Sequence, residues 1–74
     1  MDPNFMSTVE IYAETDPRQL LAACYVPKAT SWRAAHALGR ALCAIWRMDA
    51  VNAVILDEYG TAVERLIIKA NSRK

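Results

Sequence analysis

Ser31 to Met48 carries the one pattern in this chain that only a helix satisfies. Ala35, Leu38, Leu42 and Ile45 recur at spacings of three and four, which places them on one helical face. Alanines at 29, 34, 35, 37, 41 and 44 favour the helix, and only Gly39 opposes it, by about 1 kcal/mol relative to alanine. Pro27 closes the preceding segment. Thr30 or Ser31 is placed to cap the first turn by accepting a hydrogen bond from a free backbone N–H, and Asn52 is the expected terminator. Eighteen residues at 1.5 Å each span roughly 27 Å, which matches strands of seven or eight residues.

The flanks of this helix read as strands. From Thr8 to Glu14, Val9, Ile11 and Ala13 alternate with Glu10, Tyr12 and Glu14, the period of a half-buried strand. Asp16-Pro17 then supplies a turn, and Leu20 to Val26 is a continuous apolar run, so residues 8–26 are expected to form a hairpin. After the helix, Ala53-Val54-Ile55-Leu56 is apolar and largely β-branched, and Asp57-Glu58-Tyr59-Gly60 breaks it. Residues 61–70 fit two templates. The short glycine-containing turn before them favours a second hairpin, with a helical last segment as the alternative. The expected fold is α+β, a two-layer β-β-α-β-β domain with one central helix on a four-stranded, mainly antiparallel sheet.

With 74 residues there is room for one domain, and a chain this size buries only about 60% of the surface its unfolded form exposes. Residues 6–70 are assigned to that domain and 71–74 to a polar tail. Residues 1–5, ahead of a second methionine at Met6, are read as a vector-derived or disordered leader. No basic segment followed by an apolar run opens the chain, and its apolar runs fall far short of the roughly 20 residues that span a bilayer. A cytoplasmic location is therefore expected, with no membrane partner, and Cys24 and Cys43 are expected to be buried free thiols.

Little in the sequence suggests chemistry. One histidine and two isolated cysteines do not make a metal site, and two glycines do not make a phosphate loop, so neither metal nor cofactor is expected. His36 and Cys43 share a helical face, but seven residues separate them by roughly 10 Å, against the about 3 Å that a nucleophile–base pair requires. Asp57 and Glu58 are ordinary turn acids. The chain is not expected to be an enzyme, and His36 is read as a helix-surface residue.

Apolar surplus is the feature that points outward. Three of the four strands place apolar residues on both faces, and one helix covers one face, so a second copy or a partner is expected over the other. On the helix, Ala35, Gly39 and Cys43 form a groove of small residues, and Trp32, Gly39 and Trp46 recur every seven. These five residues are the expected dimer or partner interface, since tryptophan is over-represented among residues that dominate binding energy. Arg33, Arg40 and Arg47 make a stripe suited to an acidic partner or to phosphates, which Lys69, Arg73 and Lys74 can extend. A net charge of +1 lacks the basic excess of a dedicated nucleic-acid binder. The sequence therefore predicts a protein-interaction module, a homodimer, that binds and can thereby inhibit a larger cytosolic protein in the manner of an accessory or phage-type regulator. The alternative is a nucleic-acid-binding protein that uses the arginine stripe.

Overall fold

In a computed structural model, which describes residues 5–70, the chain forms β1 (Met6–Ala13), β2 (Leu20–Pro27), a short 3-10 turn (Lys28–Thr30), α1 (Ser31–Trp46), β3 (Ala50–Leu56) and β4 (Ala62–Lys69). The expected leader residues 1–4 and tail residues 71–74, Arg73 and Lys74 among them, lie outside the described residues. Phe5 leads into the sheet: its carbonyl accepts the Lys28 N–H at 3.0 Å, and the Lys28 ammonium sits 6.0 Å from its ring centroid.

The four strands make one sheet in the order β2-β1-β3-β4, antiparallel throughout, so the α+β fold and both hairpins are as the pattern predicts. Residues 62–69 are a strand. β2 and β3 each run antiparallel to β1, so they are parallel to one another with β1 between them, and α1 is the crossover that joins them. The two remaining links are short turns. At the first, Asp16 Oδ1 accepts the Arg18 N–H at 3.1 Å. At the second, Asp57 Oδ1 accepts the N–H groups of Tyr59 and Thr61, each at 2.9 Å, while Gly60 takes φ +81°. Asp57 therefore shapes a turn, as expected. Among the described residues only α1 lies on the sheet, and it covers one face.

The covered face is built from β1 and β3. Val9, Ile11 and Ala13 of β1 stand opposite Ile55, Ala53 and Val51 of β3, and all six are buried. Ile68 on β4 and Ala35, Leu42 and Cys43 on α1 complete the core. The helix lies over β3 and β1 and least over β2, whose inward residues Ala22, Cys24 and Val26 are only half-buried. Each hairpin also carries a bulge. Leu21 is the extra residue where Ile11 pairs with Ala22 and Tyr12 with Leu20, and Val63 is the extra residue where Ile55 pairs with Glu64 and Leu56 with Ala62.

Both helix ends differ from the sequence expectation. The Thr30 and Ser31 hydroxyls do not cap the helix; they donate backward to the carbonyls of Pro27, at 3.0 Å, and Lys28, at 2.9 Å, because the 3-10 turn presents those oxygens first. At the other end α1 stops at Trp46, two residues short of Met48 and well before Asn52. Arg47 turns left-handed, with φ 56° and ψ 46°, and the Met48 N–H closes on the Cys43 carbonyl at 2.9 Å. Asn52 lies inside β3.

Candidate interaction surface

The expected small-residue groove is occupied by the protein itself. Ala35 and Cys43 are buried core residues, and Gly39 lies directly on β4. A Cβ built on Gly39 would stand 2.8 Å from Cγ2 of Ile68. The groove exists so that the helix backbone can approach the sheet, and these three residues have no surface left for a partner. Ile45, expected on the sheet, is 72% exposed. It lies six residues beyond Gly39, which is about 120° around the helix from the buried line.

Trp32 and Trp46 flank the same contact, at the two ends of the helix, and each is 54% exposed. Fourteen residues place them roughly 21 Å apart along the axis, so they do not form one patch. The Trp32 ring instead rests on His36, with centroids 4.1 Å apart. That contact makes His36 half-buried rather than a surface residue, and its Nε2 is enclosed without a hydrogen-bond partner. Cys24 and Cys43 are free thiols. Burial, and then the charges of Asp49 and Glu14, push the Cys43 thiol above its ordinary pKa. Among the described residues no cluster of His, Cys, Asp and Glu could hold a metal ion, and no helix is long and apolar enough to cross a membrane.

Arg33, Arg40 and Arg47 are all exposed, on a flank of a helix that contains no acidic residue. They remain available to an acidic partner.

Among the described residues, the face of the sheet that α1 leaves bare is also unpartnered. Strand register sets its side chains in three rows across β2, β1, β3 and β4: Tyr25–Thr8–Leu56–Ala62, Ala23–Glu10–Val54–Arg65, and Leu20–Tyr12–Asn52–Ile67. Leu20, Tyr25 and Ile67 are 50%, 67% and 62% exposed, and Tyr12, Val54 and Leu56 are half-buried. Along the strands this face dips into a trough of about 650 Å³ that runs from Pro17 in one turn to Gly60 in the other. Four strands at about 4.8 Å and eight residues at about 3.3 Å give a flat area of roughly 500 Å². That is the size of the largest apolar patches on ordinary monomers, which are often functional.

Polar groups on this face are few and placed. The Tyr12 hydroxyl donates to Glu10 Oε1 at 2.8 Å, and this bond, then burial, then the charge of Glu10, raise the Tyr12 pKa above its ordinary value. Arg65 stands in the same row as Glu10, with Val54 between them. Edge strand β2 carries no charged residue, and its outer edge is interrupted by the Leu21 bulge and by Pro27 instead.

The second apolar face expected from the sequence is this one, whereas the small-residue line of the helix, where the contact is expected, is buried. The missing signal was strand order: only with β1 in the interior do Glu10 and Tyr12 fall among the apolar residues of β2, β3 and β4. Compared with known protein families, with characterised proteins and with solved structures, the chain has no significant match in any of the three.

Proposed function

We propose that this protein is a small protein-interaction module whose contact surface is the bare face of the sheet. One observation carries the reading: three rows of mostly apolar side chains lie uncovered by any element among the described residues. Burying that face against another polypeptide removes apolar area from water at roughly 25 cal/mol per Å², which favours association. A module of this kind acts by occupancy. Holding a larger protein, and blocking it where the contact overlaps a working surface, is the accessory-regulator role expected from the sequence.

A photo-crosslinking amino acid tests this reading. Placed at Ile67, on the bare face and 62% exposed, it yields protein adducts in the native host; placed at Ala41, on the outer face of α1, it does not. Adducts from position 41 and none from position 67 would overturn the assignment. The exposed arginines carry a separate reading, in which the chain retards DNA or RNA in a salt-dependent way that Arg40→Glu abolishes.

A further inference from the structure

We infer that the polypeptide seated on the bare face is a second copy of this chain, related to the first by a two-fold axis along β3. This rests on the reading of that face as a protein contact. The argument comes from its central row, Ala23–Glu10–Val54–Arg65. Glu10 lies one strand to one side of β3 and Arg65 one strand to the other, roughly 9.6 Å apart at the level of the backbone.

Half a turn about an axis along β3 exchanges the positions above β1 and β4. Each Glu10 then faces the other copy's Arg65, and two reciprocal ion pairs form. The same rotation places Tyr12 over Ile67 and sets Val54 and Leu56 against their own counterparts. Other two-fold axes through this row fail on charge. An axis along β1 sets Glu10 on Glu10, an axis along β4 sets Arg65 on Arg65, and an axis along the row does both. An axis midway between β1 and β3 covers Glu10 with Val54 and Arg65 with Ala23, so the two charges meet only diagonally, one strand apart, and neither stands directly opposite its counterion. An isologous interface requires a self-complementary patch, and the β3 axis makes this one so.

Overlap under this axis covers three strands, roughly 370 Å² of flat face per copy. The pair therefore falls below the about 1,200 Å² of standard stable interfaces and belongs to the class that dissociates on dilution.

Sedimentation equilibrium of the purified chain from about 1 µM to about 1 mM covers the range in which such a weak complex assembles. The mass should rise from 8.3 kDa toward twice that value. Glu10→Arg and Arg65→Glu, each verified as folded by circular dichroism, should each weaken the dimer about tenfold or more, because like charges then meet. The double exchange E10R/R65E should restore it. A monomer at every concentration overturns the proposal. If position 67 still crosslinks to another protein, only the second copy is lost; if it captures nothing, the reading of the face falls as well. A dimer indifferent to the single exchanges, or not rescued by the double one, places dimerisation elsewhere and also overturns the proposal.

Discussion

Gly39→Ala sets two quantities against each other at one site, and the structure decides between them. In an isolated helix the change is favourable by about 1 kcal/mol, because alanine restricts the unfolded backbone and glycine does not. Here the new methyl would meet Cγ2, Cβ and Cγ1 of Ile68 at 2.8, 2.9 and 3.0 Å. These atoms are the branch point of a β-strand side chain that is 1% exposed, so they cannot swing aside as the end of a flexible chain could. The helix must lift from the sheet. Overpacking of this kind costs about 1–3 kcal/mol, and contacts this short belong at the upper end, so the net loss is about 1–2 kcal/mol. For a domain of this size that lowers Tm by roughly 5–15 °C.

Urea unfolding followed by the fluorescence of Trp32 and Trp46 reads the loss as a lower midpoint at unchanged slope. A double-mutant cycle isolates the cause. Ile68→Val keeps all three colliding atoms and should bring no relief. Ile68→Ala removes the two γ-carbons but keeps Cβ at 2.9 Å, so, although it costs about 2–5 kcal/mol by itself, it should relieve part of the Gly39→Ala loss in its background. If Gly39→Ala is as stable as the wild type, or if Ile68→Val relieves it as well as Ile68→Ala does, the close approach of α1 to β4 is not what glycine serves.

Two other sites give independent checks. Arg47 holds a left-handed conformation with φ 56°, which costs a non-glycine residue about 1 kcal/mol, so Arg47→Gly should raise Tm by a few degrees in a thermal melt; a lower Tm would mean that the guanidinium contributes more than the backbone strain. The Cys43 thiol ionises above its ordinary 9.0 because burial, and then Asp49 and Glu14, oppose the thiolate. The unfolded thiol therefore loses its proton first. This contribution to stability is complete below about pH 9 and is lost as pH rises through the folded value, so unfolding free energies measured from pH 8 upward should decline. Cys43→Ala should flatten that decline, leaving the higher-pH contribution of Tyr12, whose bond to Glu10 raises its own ionisation.

Periodicity alone determined most of the architecture. The alternation of Val9, Ile11 and Ala13, the spacing of three and four around Leu38 and Leu42, and the turns at Asp16-Pro17 and Asp57–Gly60 are local signals, and each is found where the pattern places it. The ends of α1 were less legible, because a left-handed Arg47 and a backward-bonded Thr30 carry no mark in residue type. The faces of the helix differ from the expected ones for a deeper reason. Hydrophobic size points to Ile45, whereas close packing against β4 needs small residues, so the Ala35–Gly39–Cys43 line turned inward and Ile45 outward. The bare face depended on strand order, which no local pattern encodes. Glu10, Val54 and Arg65 share a row only because β3 pairs with β1 on one edge and β4 on the other. A surplus of apolar residues was visible in the sequence; which of them lie together was decided by tertiary pairing, because adjacency across a sheet belongs to the register and not to the chain.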